Sequence, residues 1–214
     1  IFDYSDYKTY VQLHLDGYQL NVNTDMTICV DHINGSRQQD TEHGQEVVAV
    51  GTVSVAEGKT LTILPQNKQE QDHINVNLIN FEFNNGNLVL GREENREHIH
   101  FEQIDFNTPV KNLTIHGSFY YGVPWTQGNG IEVTETLTVS NFEAEASIYV
   151  PTVVKNLELN GNISVSDFVS TGVVKTDNDN RFNIVADGNA ELNDIEVTIN
   201  EQNFYSRFVI AMDQ

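Results

Sequence analysis

An all-β fold, built as a parallel β-solenoid, is the architecture that this sequence predicts. Residues 110–117 (VKNLTIHG) return forty-four residues later at 154–161 as VKNLELNG. In each copy apolar and polar residues alternate, as in a strand with one buried face, and the closing glycine permits a turn. Helix formers are concentrated only at 93–98, a run too short for more than a turn or two of helix.

Triplets of the form apolar-x-apolar recur along the chain with a loosely fixed period. Successive triplets are separated by 27, 25, 24, 20 and 27 residues. A period in the twenties is that of one coil of a parallel β-solenoid, whose stacked strands lie ~4.8 Å apart and share an internal ladder of apolar side chains. A jelly-roll or β-sandwich is the alternative, because short strands of this kind also build those folds. The triplets begin at Leu61, Leu88, Leu113, Leu137, Leu157 and Ile184.

A single domain over 1–214 divides into three parts. In the first part, 1–46, alternating residues from Tyr7 to Leu15 predict a half-buried strand, and 20–30 reads as a second strand region interrupted near Asn23. Residues 31–46 are polar and lack a sustained period, which predicts a long loop or an excursion from the core.

The repeated β coils fill the second part, 47–200, where 53–63 reads as two strands joined by a tight Glu57–Gly58 turn. The third part, 201–214, is a terminal strand with alternate apolar residues on one face. Strand-like ends either cap a stack of coils or pair with another chain. The residues expected to serve assembly are Tyr7, Val11, Leu13, Phe204, Phe208 and Ile210.

Charge and cysteine content limit the classes of partner. The chain carries 11 Lys and Arg against 31 Asp and Glu, so its net charge of −20 repels nucleic-acid backbones and favours divalent cations or basic surfaces. Cys29 is the single cysteine, which excludes an intrachain disulfide. No apolar run reaches the length of a membrane span, and the chain starts without methionine, which a removed signal peptide or a trimmed chain would explain. We expect an extracellular or cell-surface location.

Several phrases of the chain resemble those of a known class of repeat. Residues 53–63 (VSVAEGKTLTI) are similar to a V-x-V-x-x-G-x-x-L-x-I phrase of right-handed β-helix segments in secreted bacterial adhesins and surface proteins. The phrases NLTIHG and NLELNG are similar as well, and the likeness covers roughly 47–200. The resemblance implies a fold and an extracellular setting rather than a reaction.

Aromatic residues are concentrated in a segment rich in glycine, 120–130, which predicts a corner loop outside the core. Tyr120, Tyr121 and Trp125 are the candidate binding residues, because exposed rings stack on sugars or dock against a neighbouring subunit. Local packing on the outer face of the coil is the alternative. Carbohydrate or a cell surface is therefore a candidate partner beside further copies of the chain.

Two groups of residues are candidate metal ligands. Asp177 and Asp179 lie in a turn rich in oxygen ligands that can converge on Ca²⁺, although the positions required of an EF-hand are missing. An ordinary Asx-rich turn is the alternative. His98 and His100 share one strand face, where a third imidazole from His73 or His116 would complete a transition-metal site; two solvated histidines are the simpler interpretation.

The sequence does not predict an enzyme. Pairs of carboxylates such as Glu143 with Glu145 occur, but 31 acidic residues make such pairs common by chance. Asn23-Thr24-Asp25 resembles an element of polygalacturonases, yet the other elements of that family are missing. We therefore expect an extracellular structural or adhesive protein, a self-assembling fibre or surface-layer subunit, with a polysaccharide hydrolase or lyase as the alternative.

Overall fold

The computed structural model describes residues 11–42, 44–66, 72–93, 97–122, 131–170, 173–176, 184–186, 196–199 and 210–212. These ranges contain strands and no helix, which confirms the all-β class. In chain order the strands are β1 (Gln12–His14), β2 (Gln19–Val22), β3 (Met26–Cys29), β4 (His32–Asn34), β5 (Arg37–Thr41), β6 (Gly44–Ala49), β7 (Gly51–Val55), β8 (Thr60–Leu64), β9 (Asp72–Glu82), β10 (Asn87–Leu90), β11 (Glu97–Phe106), β12 (Val110–His116), β13 (Ser118–Gly122), β14 (Ile131–Ser170), β15 (Val173–Thr176), β16 (Ile184–Ala186), β17 (Glu196–Ile199) and β18 (Ile210–Met212).

Parallel pairing joins β3, β8, β10, β12, β14, β15 and β17, in that order, into a first ladder. Its register places Leu61 beside Leu88, Leu88 beside Leu113 and Leu113 beside Leu137, as the recurring triplets predict. These four leucines are buried because alternate residues of each strand point into the core.

The long strand β14 contributes to more than one rung of the structure, where a rung is one strand position within a ladder. Lys155 Nζ lies 3.1 Å from Glu135 Oε2, and Asn160 Nδ2 donates to Ser140 Oγ at 3.4 Å. Both contacts join residues twenty positions apart, which sets Leu157 one rung beyond Leu137. Ile184 was expected to continue this series and does not: β16 pairs with β18 in a separate sheet, while β17 takes the place next to β15.

Two further parallel ladders complete the body. The second ladder runs β1, β4, β9, β11, β13 and β14, and the third runs β2, β7 and the later parts of β9 and β11. Leu78 separates the two parts of β9 and has a φ of +54°. That left-handed conformation marks the bend at which the strand passes from the second ladder into the third, while its pairing with β11 stays parallel on both sides.

The interior between the ladders is filled by aliphatic and aromatic side chains. Phe81, Phe83 and Phe106 stack with ring centroids 5.3 to 6.0 Å apart and interplanar angles of 16° to 21°. At the adjoining corner the Thr108 hydroxyl accepts hydrogen bonds from the backbone N–H groups of Phe83, at 2.6 Å, and Asn84, at 3.3 Å. Stacked rings thus extend the apolar core from one strand to the next.

A buried carboxylate links three separate stretches of the chain. Asp31 Oδ2 accepts a hydrogen bond from the Val11 N–H at 3.1 Å, and its Oδ1 accepts one from the Gln66 N–H at 3.1 Å. The side chain is 7% exposed. Its two oxygens therefore satisfy backbone donors that burial would otherwise leave without a partner.

The polar segment 31–46 is not a loop along most of its length. Its first part, β4, joins the second ladder, and β5 and β6 form an antiparallel hairpin from Arg37 to Ala49. All side chains of β5 and most of β6 are exposed, so the hairpin lacks the apolar alternation by which strands are predicted. It is an excursion from the core that is held by its own backbone hydrogen bonds.

Candidate assembly surface at the N-terminal edge

Each of the three ladders begins with a strand from the first part of the chain. Among the described residues, β1 pairs only with β4, β2 only with β7, and β3 only with β8. We call these three strands the N-terminal edge. The outer backbone groups of such an edge form a template for pairing with a further strand.

The N-terminal edge also leaves part of the apolar interior uncovered. Four apolar residues of these strands, and Val11 directly before β1, are only partly buried, whereas the in-register partners of the four on the next strands have exposures of 2% or less. Val22, at the end of β2, is the exception, because it is fully buried although β2 pairs only with β7 among the described strands. The partly buried residues are Val11, Leu13, Leu20, Met26 and Ile28, and the buried partners of the last four are Ile33, Val53, Leu61 and Ile63.

Exposed apolar side chains lie next to this edge. The large hydrophobic residues that are exposed within the described ranges are Tyr18 at 68%, Val47 at 41%, Val48 at 42% and Val50 at 37%. The base of the hairpin lies against the first turn of the chain, since a Cβ added to Gly17 would be 2.7 Å from that of Ala49. Exposed apolar side chains close to an open strand edge make this region a candidate interaction site.

Charge at the hairpin limits what this surface can contact. The hairpin carries Asp40, Glu42 and Glu46 against one cation, Arg37. Two identical hairpins meeting face to face would bring like charges together, which is unfavourable. The surface therefore fits a different part of another molecule better than it fits itself.

Of the six residues predicted to serve assembly, three lie among the described residues and three do not. Val11 and Leu13 lie on the N-terminal edge and pack against the core. Ile210 lies in β18 and pairs with Ile184 of β16. Tyr7, Phe204 and Phe208 lie outside the described residues.

The candidate binding aromatics are not all in a corner loop. Tyr120 and Tyr121 belong to β13, whose backbone pairs with that of β11, and Tyr120 also pairs with Tyr149 of β14. The prediction of a loop starting at Tyr120 is therefore wrong, because parallel pairing continues through Gly122. Trp125 and the candidate calcium ligands Asp177 and Asp179 lie outside the described residues.

The structure brings together only some of the histidines that the sequence analysis grouped. His98 pairs in register with His73 in the second ladder, whereas His116 lies on β12 in the first ladder. Within the part of the chain that the structure describes, no three His, Cys, Asp or Glu side chains converge on a common point as metal ligands would.

Two histidines, His116 and His32, have shifted pKa values. Burial lowers the pKa of His116, and Glu93 acts in the opposite direction. Burial also lowers the pKa of His32, with a hydrogen bond to Asn77 opposing the shift and the charge of His14 adding to it. Both imidazoles are thereby favoured in their neutral form.

Among the acidic residues singled out in the sequence, Asp25 has a structural partner. The Asp25 carboxylate of Asn23-Thr24-Asp25 accepts a hydrogen bond from the Thr60 N–H at 3.0 Å, which ties β8 to the turn before β3. Glu143 and Glu145 lie within β14. The role of Asp25 is therefore that of a backbone cap.

Comparison with other proteins adds no relative: no protein-family model, curated protein or solved structure matches this chain. No helix that could cross a membrane occurs in the described ranges. The sequence predicts Val11 and Leu13 as assembly residues, but not the contribution of β2 and β3 to the same edge or the exposed valines of the hairpin. The only sequence signal for these valines is their run at 47, 48 and 50, of which Val47 and Val48 lie on opposite faces of β6.

Proposed function

We propose that this chain is an extracellular structural or adhesive protein that assembles with copies of itself through the N-terminal edge. The observation that carries the proposal is the partial exposure of apolar residues on β1, β2 and β3 whose counterparts one strand further on are buried. A strand from another copy, laid along this edge, would bury those side chains and pair the outer backbone groups.

The proposed body of the subunit is a parallel β-solenoid. Support comes from the first ladder, where in-register leucines from Leu61 to Leu137 are separated by 27, 25 and 24 residues. The chain leaves each ladder, contributes to another and returns one strand further along. Each rung would contact only its neighbours, as in other repeat proteins.

Head-to-tail contact is the geometry that fits this edge best. Among the described strands of the first ladder, β3 pairs only with β8 and β17 only with β15, so the ladder has two different ends. Joining one end to the other end of the next copy is a heterologous contact, which propagates into a filament when it does not close into a ring. This geometry also avoids bringing two acidic hairpins together.

The extracellular setting is supported by composition. A net charge of −20 keeps individual copies soluble and apart, and the single cysteine, Cys29, is exposed and needs no disulfide partner for the fold. Repulsion between acidic copies makes assembly dependent on salt, because ions screen charges beyond about 10 Å at 0.1 M ionic strength.

Assembly is tested by a matched pair of lysine substitutions on β2. Leu20 is partly buried on the inner face of the edge, and Asn21 is its exposed neighbour on the outer face. Both Leu20→Lys and Asn21→Lys add one positive charge, but only the former places it in the proposed contact. Sedimentation velocity and negative-stain microscopy of the purified chain at rising concentration and salt measure the outcome.

We expect filaments or ordered oligomers from the unmodified chain and from Asn21→Lys, with a critical concentration about tenfold higher for Leu20→Lys because a buried charge opposes the contact. Circular dichroism checks that both variants remain folded. Monomers of the unmodified chain at every concentration, or equal assembly of the two variants, would show that the edge is not an assembly surface.

A further inference from the structure

Apart from Lys111 near the start of β12, the outward positions of five strands in the first ladder carry no formally charged side chain. Its thirteen positions lie on β3, β8, β10, β12 and the 136–140 part of β14, opposite the buried leucines. One residue in five of this chain is charged, so a strip of this size without charge departs from the rest of the surface. We call it the neutral face; it comprises Thr27, Cys29, Thr60, Thr62, Leu64, Asn87, Val89, Asn112, Thr114, His116, Thr136, Thr138 and Ser140.

Charged residues define the limits of the neutral face. Lys111 and Glu135 stand at the start of its strands, beside the irregular register between Val110 and Asn112. One rung further on, the position after Leu157 is Glu158, which pairs with Lys175. The uncharged strip thus stops at a definite rung.

The side chains of the neutral face form ordered columns. Asn112 Nδ2 donates to Asn87 Oδ1 at 2.9 Å, and Asn87 Nδ2 donates to Thr60 Oγ1 at 3.3 Å. In the adjacent column Thr114 pairs in register with Thr138, while Val89 stands between Thr114 and Thr62. Threonine has few χ1 rotamers, and amide ladders fix their neighbours, so these polar groups repeat every ~4.8 Å with little rotational freedom left to lose.

His116, at one end of the neutral face, is uncharged like the other residues of that face. His116 is partly buried on β12, and burial lowers its pKa while Glu93 opposes that shift. At neutral pH the imidazole is therefore uncharged, and it can donate or accept a hydrogen bond as the threonines and asparagines do.

We propose that the neutral face binds a neutral polysaccharide chain along the direction of the ladder. A polyanion is repelled by the acidic molecule as a whole, and a polycation gains more from the acidic corners and hairpin than from a strip without charge. A neutral polymer of hydroxyl groups matches the face in charge and in hydrogen-bonding chemistry, and its repeating units can meet equivalent groups at successive rungs. Individually weak contacts then add through multivalency.

This inference names the ligand class of the proposed adhesive role and rests on that role. The neutral face shares only the outward side of β3 with the N-terminal edge, whose proposed contact uses the inward side chains of β1, β2 and β3. The two can fail independently. Polysaccharide retention of Leu20→Lys tests the neutral face when assembly has been removed, and sedimentation of neutral-face variants tests assembly when ligand binding has been removed.

The test compares two threonine-to-glutamate variants. Thr114→Glu places a charge in the middle of the neutral face, and Thr52→Glu places the same charge on β7 in the third ladder. Both threonines are partly buried strand residues, so the two changes are matched in chemistry and exposure. Sedimentation with insoluble cellulose and chitin, and affinity electrophoresis in mannan, measure binding; alginate serves as the anionic comparison, and circular dichroism verifies folding.

We expect the unmodified chain and Thr52→Glu to be retained by at least one neutral polysaccharide and not by alginate, with about tenfold weaker retention of Thr114→Glu because every rung contributes to a multivalent contact. Equal retention of both variants, or no retention of the unmodified chain on any neutral polymer, would overturn the proposal. Loss of self-association in Thr114→Glu without any polysaccharide binding would instead assign the face to a second copy of the chain.

Discussion

Ile28 and Ile63 are the same residue at equivalent positions of adjacent strands, and they have different surroundings. They pair in register in the first ladder, yet Ile63 is fully buried and Ile28 only partly so. The difference lies in their neighbours: β8 is flanked by β3 and β10, whereas within the described residues β3 has β8 alone. Burial of a repeated position therefore depends on its place in the ladder rather than on residue type.

This contrast separates stability from association. A buried position such as Ile63 contributes its hydrophobic free energy to the folded subunit. A partly exposed position such as Ile28 contributes less hydrophobic free energy to the subunit. The remainder is gained only when another surface covers the side chain. The same apolar pattern therefore serves folding in the middle of the ladder and, under the proposed function, association at its end.

The largest expected effect tests this contrast directly. Ile63→Ala removes a buried side chain and should lower the free energy of unfolding by about 3 kcal/mol, because it creates a cavity between two packed strands. Ile28→Ala should cost about 1 kcal/mol, since water already reaches part of the side chain. Urea denaturation of the subunit at a concentration below assembly measures both values, and equal losses would contradict the burial contrast.

An intermediate effect is expected from two aspartates that bond to backbone N–H groups. Asp31→Asn should reduce the free energy of unfolding by about 1.5 kcal/mol, because an amide cannot accept through both of its ends and one partly buried hydrogen bond is lost. Asp25→Asn, at an exposed site with a single bond to Thr60, should cost about 0.5 kcal/mol. A cost for Asp25→Asn that equals or exceeds the cost for Asp31→Asn would show that the buried carboxylate does not join the edge to the ladder.

The smallest effect concerns pH. Burial lowers the pKa of His116 below its ordinary value of 6.5, so the unfolded chain binds more protons than the folded chain just below that pH. The contribution of His116 to stability is present above about pH 6.5 and is lost as the pH falls through the folded-state pKa. His32 acts in the same direction.

Thermal unfolding between pH 7.5 and 5 measures this dependence. The variant His116→Gln should show a shallower loss of stability on acidification than the unmodified chain. His14→Gln should reduce the slope to a smaller degree, because it removes only the part of the His32 pKa shift that comes from the charge of His14. An unchanged slope in His116→Gln would show that another group governs the acid response.

The sequence predicts the middle of the first ladder well, because Leu61, Leu88, Leu113 and Leu137 recur in the same triplet with a spacing that one turn of the chain can cover. It fails at Ile184, which has the same local pattern but pairs in another sheet. A triplet specifies which face is buried and does not specify which strand lies beside it.

The hairpin and the N-terminal edge are harder to predict for a physical reason. The strands β5 and β6 are stabilised by backbone pairing with each other while their side chains face solvent, so their sequence lacks periodicity. Among the described strands β3 has a neighbour on one side only, and Met26 and Ile28 look the same in sequence as buried residues do. Both features are properties of chain arrangement, which local patterns do not encode.

The hairpin has a consequence for redesign of the molecule. Ile33 pairs with Val76 across forty-three residues, whereas Val76 pairs with Phe101 across twenty-five, so the second ladder keeps parallel register despite the extra length between its strands. At the hairpin turn a Cβ added to Gly44 would meet no atom within 4 Å. Foreign peptides grafted at this turn would extend into solvent from a rigid support, which makes the hairpin a natural position for epitope display.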